Sequence, residues 1–157
     1  MFKKTISILA ISTIASVTGI TMAQAAKQQC MPIGGLGMPN FVPQPDGTTT
    51  IVAPLSGSAA TAAGKITAQR KTATGLEMDM EHYFMTEKGG FMYTKDLAVL
   101  FPVQGKKDRY MVEITYHIQE GSASGALQGY QGQFKSYGLV DLKNQQGLIR
   151  YRGEICR

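Results

Sequence analysis

Past residue 25 the chain has no apolar run approaching the roughly 20 residues that cross a bilayer as a helix, so no transmembrane segment is expected in the mature product. Cysteine is scarce: only Cys30 and Cys156 occur. Neither has a close second ligand, which argues against a cysteine-built metal site. There is no Gly-x-Ser-x-Gly elbow, no His-Glu-x-x-His, no phosphate-binding glycine loop and no dinucleotide fingerprint. Those absences leave the common hydrolase, metalloprotease and nucleotide-dependent classes without support. Heptads and charge blocks are missing too. The basic residues are few and dispersed, so no nucleic-acid interface is expected.

What is present begins with a leader. Lys3 and Lys4 form a basic start, Ile6 to Ile20 is mostly apolar and uncharged, and Ala23-Gln24-Ala25 offers the small-x-small pattern of signal peptidase. Residues 1–25 therefore read as a secretory signal peptide. The apolar stretch is short and diluted by Ser7, Ser12, Thr13, Ser16, Thr18 and Gly19, which disfavours an uncleaved anchor. Lipidation at Cys30 would need small and aliphatic residues just before it, and Lys27, Gln28 and Gln29 stand there instead. The expected location is the periplasm, the cell surface or the medium. In such an oxidising compartment Cys30 and Cys156 are expected to pair. With Lys3 and Lys4 removed, 14 basic side chains face 11 acidic ones. That mild surplus permits weak attraction to anionic surfaces.

Two regions differ in texture. Residues 26–64 are rich in Pro and Gly and end in the small-residue run Ser56 to Gly64, so they read as an irregular segment with one edge strand over Thr48 to Ala53. From Lys65 to Arg157 the pattern has period two and predicts an antiparallel β domain. Leu76, Met78, Met80, His82 and Phe84 alternate with Glu77, Asp79 and Glu81. Glu87-Lys88-Gly89-Gly90 is a hairpin turn, and Phe91, Tyr93, Leu97, Val99 and Phe101 share the next parity. Tyr110 to Gln119 is the clearest strand, and Pro102 to Arg109 is a polar loop before it. Ala126 to Phe134, Lys135 to Leu142 and Leu148 to Cys156 complete seven or eight strands. Leu76 to Lys88 also carries a helical stripe ending at Gly89, but the charges at 77, 79 and 81 favour a strand. Gly121-x-x-x-Gly125-x-x-x-Gly129 is too polar for a helix-dimer motif. The fold class is all-β: a small antiparallel meander closed as a barrel, with a sandwich as the alternative.

The run from Glu120 to Phe134, Glu-Gly-Ser-Ala-Ser-Gly-Ala-Leu-Gln-Gly-Tyr-Gln-Gly-Gln-Phe, is followed by Tyr151-Arg-Gly-Glu-Ile155. This C-terminal third resembles the glycine-punctuated hairpins of allene-oxide-cyclase-like, lipocalin-like barrels. The resemblance implies a barrel with an apolar lumen. It carries no catalytic residue across.

Three constellations are candidates for chemistry. Met78, Met80 and His82 leave one strand face about 6–7 Å apart at Cα. Two thioethers and an imidazole suit Cu(I) or Ag(I), while core packing explains the same residues without a metal. Glu113, Thr115 and His117 share a polar face, but the carboxylate and imidazole are too far apart to pair within one strand. Arg150 and Arg152 share a face of the last strand and suit an anionic ligand if they turn inward. Tyr116 is among the aromatics that would line a pocket. The expected function is a non-enzymatic, exported binding or interaction protein of the bacterial envelope. Its partner would be a small apolar ligand or an envelope or surface component. The alternatives are a surface attachment factor, a periplasmic copper carrier and a small isomerase or cyclase.

Overall fold

The computed structural model describes residues 28–157; the expected signal peptide lies outside them. Nine strands run in order: β1 (Cys30–Gly37), β2 (Asn40–Pro43), β3 (Thr49–Pro54), β4 (Thr61–Lys71), β5 (Leu76–Met85), β6 (Phe91–Pro102), β7 (Arg109–Ile118), β8 (Gln133–Asp141) and β9 (Gln146–Cys156). One 3-10 turn, Gly125–Leu127, interrupts the β7–β8 connection. No α-helix occurs among the described residues.

Every sequential pairing from β2 to β9 is antiparallel, and β9 also pairs with β1. β1 and β2 act as one stave, broken at Met38-Pro39. Over β1 it follows β9, and over β2 it joins β3, touching β9 once more through Asn40 opposite Gln146. The result is a closed eight-stave antiparallel barrel. Closure removes the edges that an open sheet would expose. The strand reading of 76–88 holds, as Leu76–Met85. The hairpin turn is there too, with Gly89 at φ +75°.

The segment 26–64 differs from expectation. Within its described part lie β1, β2, β3 and the start of β4 at Thr61. β3 is no edge: it pairs with β2 on one side and β4 on the other. The glycines that read as irregular are sites of close approach. A Cβ on Gly35 would stand 1.7 Å from the Ser56 carbonyl oxygen and 2.7 Å from the Tyr151 hydroxyl. The Ser56–Ser58 turn therefore packs directly on the β1 backbone, which only a residue without Cβ permits.

The strand expected over Ala126 to Phe134 is mostly loop, and β8 begins at Gln133. Gly125, Gly129 and Gly132 all have positive φ, which breaks a ladder. The connection instead crosses the barrel end that holds Cys30 and Cys156. It buries Ala123, Leu127 and Tyr130 there, and it is tied down by Ser124 against Phe91 and Gln131 against Cys156. The disulfide joins Cys30 to Cys156 where the two stand opposite each other in the β1–β9 ladder.

The interior is a packed core. An eight-strand barrel is just wide enough for side chains to fill. Phe84, Tyr116, Phe134 and Tyr151 form its aromatic centre, with Tyr116 stacked on Phe134 at 4.6 Å and Phe84 edge-on to Tyr116 at 5.2 Å. The outward faces carry charge at mid-height, with Lys65, Glu81 and Lys95 in one cross-strand row. A membrane-spanning barrel has the reverse arrangement, apolar outside and polar within.

Candidate functional site

Alternation along β5 points Met78, Met80, His82 and Phe84 into the lumen, as the parity of the sequence predicts. β6 runs against expectation. Its inward residues are Met92, Thr94, Asp96, Ala98 and Leu100, while Tyr93, Leu97, Val99 and Phe101 lie on the outer parity. Asp96 is thereby placed deep inside. It sits directly opposite Met80 on one side and Tyr116 on the other.

His82 and Asp96 meet diagonally across the β5–β6 pair. Nδ1 of His82 lies 2.6 Å from Oδ2 of Asp96, and both residues are buried. Where Asp96 is the carboxylate, Nδ1 donates to it, and a neutral imidazole then keeps its lone pair on Nε2. Nε2 has no hydrogen-bond partner among the described residues, and the ring lines the central cavity. Oδ1 of Asp96 is buried and unpartnered. The imidazole lies over Gly64, the residue paired with it on β4; a Cβ there would come within 2.5 Å of the ring Cδ2. Tyr116 meets the ring edge-on at 5.4 Å. Its hydroxyl shares a hydrogen bond with Ser136 at 3.0 Å. The Tyr151 hydroxyl donates to the Ser56 carbonyl at 2.7 Å and accepts from the Ala59 amide at 3.0 Å, latching the β3–β4 turn.

The cavity between these groups measures about 40 Å³. It is lined mainly by hydrocarbon and runs from His82 toward Phe41 and Leu142 at the end opposite the disulfide. That space suits one or two waters or an ion. A drug-sized ligand needs several hundred Å³.

Burial pushes the Tyr116 and Tyr151 phenols upward. Lost hydration and the neighbouring Glu81 push Tyr93 up to about 12. All three fold best as neutral phenols. Their contribution is complete below the unfolded value near 10 and is lost as pH rises past it. Urea midpoints are therefore expected to be insensitive to these groups from pH 7 to 9 and to fall between 10 and 12. Tyr116→Phe is expected to flatten that fall, and an unchanged alkaline profile in the variant would refute this assignment.

Not every expected site residue converges. Arg150 and Arg152 are exposed on the outer face of β9, because Ile149 and Tyr151 take the inward parity. Tyr116 is inside, so the three do not share a pocket. Glu113 faces out and accepts from Lys135 Nζ at 2.6 Å, while His117 is exposed nearby. Thr115 lies on the same outer face.

A second feature lies on the exterior. Phe101, Met111, Leu139 and Leu148 are successive cross-strand partners over β6 to β9, and all four are exposed. The row borders the β6–β7 and β8–β9 loops. There Lys106, Lys107 and Lys143 line one shallow depression together with Asp108, and the adjacent Arg109 is paired with Asp141 at 3.0 Å. No acid lies within ion-pair distance of the three lysines among the described residues. Comparison with family models, with curated proteins and with solved structures finds no match in any of the three. The fold is a small antiparallel barrel with no specific link to allene-oxide-cyclase-like or lipocalin-like barrels.

Proposed function

We propose that the protein is an exported, non-enzymatic attachment barrel that docks on the anionic lipid face of the bacterial envelope. The observation that carries this reading is the exposed row Phe101, Met111, Leu139 and Leu148 beside the lysines at 106, 107 and 143. A contiguous apolar row next to basic loops is an amphipathic surface. Apolar side chains settle at the headgroup boundary, while each nearby lysine adds about 1 kcal/mol against an anionic leaflet. The Cys30–Cys156 disulfide supports an oxidising compartment. The likeness to allene-oxide-cyclase-like and lipocalin-like barrels would place the function in the lumen, with an apolar ligand. Against that, the residual cavity of about 40 Å³ admits no such guest unless Phe41 and Leu142 swing away.

Co-sedimentation of the mature protein with vesicles tests the proposal. Binding is expected to phosphatidylglycerol–phosphatidylcholine vesicles and to weaken steeply with salt. Met111→Asp/Leu148→Asp and Lys106→Glu/Lys107→Glu are each expected to abolish it while leaving the fold intact. Equal binding to pure phosphatidylcholine, or none to either vesicle, would eliminate an anionic lipid surface as the partner.

A further inference from the structure

The geometry points to a soft-cation site inside the lumen, in which His82 Nε2 and the Met80 thioether hold a monovalent d10 ion, Cu(I) or Ag(I), with Met78 as the next thioether toward the mouth. This inference is independent of the lipid-docking surface.

Four observations carry it. First, Met78, Met80 and His82 all line one cavity, and its volume suits an ion. Second, the imidazole is already set as a metal ligand is usually set. Its Nδ1 meets a carboxylate oxygen at 2.6 Å, which holds the ring and, in the neutral imidazole, directs the lone pair to Nε2. Third, Oδ1 of Asp96 is buried without a partner. A cation entering an apolar interior is costly unless an opposite charge awaits it. Asp96 supplies that charge next to the ligand rather than as a ligand, and it stands directly opposite Met80. Fourth, Gly64 leaves the ring room to approach the β4 backbone, where a Cβ would stand 2.5 Å from Cδ2.

The donor set selects the ion. Thioether and imidazole favour soft monovalent ions, whereas Ca(II) and Mg(II) require several oxygens. Zn(II) takes four ligands, usually thiolates, imidazoles or carboxylates, and two thioethers do not replace them. Binding is simple coordination: the Nε2 and sulfur lone pairs replace solvent or carrier ligands on the ion, and no electron is transferred.

Ag(I), which needs no reductant, is the probe. Mature protein labelled with ¹³C at the methionine methyls is titrated with silver nitrate in a chloride-free buffer. One equivalent is expected to shift the methyls of Met80 and Met78 and the His82 ring signals. The exposed Met38, Met85 and Met111 are expected to stay in place until excess is added. Met80→Leu nearly conserves volume and is expected to remove the shift at His82 while preserving the fold. Asp96→Asn keeps an acceptor for Nδ1 but removes the charge, and is expected to weaken Cu(I) retention against bicinchoninate by about 10–100-fold. Silver shifts confined to the exposed methionines, or Cu(I) retention unchanged in Met80→Leu, would overturn the site. Zn(II) binding as tight as Ag(I) would overturn the assignment of the ion.

Discussion

Replacing both Cys30 and Cys156 with alanine is expected to lower the unfolding free energy by about 5 kcal/mol. The bridge spans a sequence separation of 126 residues. A loop that long, closed in the unfolded chain, removes about 4.9 kcal/mol of disorder on the chain-entropy account. Domains of this size have only about 5–15 kcal/mol in total. The bond also fixes a place where the fold has few substitutes. It ties the outer end of β1 to β9, beside the paired Gln29 and Arg157 backbones. Urea unfolding with and without reductant checks this, with the alanine pair as the reagent-free control. A loss below about 1 kcal/mol would show that the β1–β9 ladder closes the barrel by itself.

Breaking the His82–Asp96 pair from one side is the second large effect. His82→Phe is expected to cost about 3–5 kcal/mol, because it strands a buried carboxylate whose Oδ1 already lacks a partner. Asp96→Leu is expected to cost a similar amount by leaving Nδ1 unmet. The double variant His82→Phe/Asp96→Leu is expected to recover most of the loss, since a packed apolar pair replaces a buried polar one at little net cost. Midpoints of urea denaturation for the two singles and the double give the coupling directly. Additive losses would mean that the two side chains act separately and that the 2.6 Å contact contributes nothing of its own.

The strands that were legible are those with one apolar and one polar face. β7 reads off the alternation of Val112, Ile114, Tyr116 and Ile118, all buried. β5 reads the same way, and with it the shared face of Met78, Met80 and His82. β6 was misleading for a physical reason. Leu97 and Phe101 cover the outside, while the middle of the inward face takes the small or polar Thr94, Asp96 and Ala98 between Met92 and Leu100. Asp96, the partner that gives His82 its orientation, therefore lay on the parity that hydrophobicity disfavours. The available signal was positional: a Met-x-Met-x-His strand needs a neighbour, and Met92-x-Thr94-x-Asp96 follows it across a tight turn. The glycines of β1 and of the β7–β8 connection were ambiguous in the sequence. The same residue type serves one as a site of backbone contact and the other as a break in the ladder.

β9 has three partners: β8 along one side, β1 along the other, and β2 at a single point. It is the last stave in the chain, and the first stave has no other place to dock along its Cys30–Gly37 half. The ring is thus completed by contacts between residues more than a hundred positions apart, which gives a high contact order and slow folding. Until the eleven residues of β9 arrive, the partly assembled sheet has two raw margins, and those margins are where a folding chain would pair wrongly.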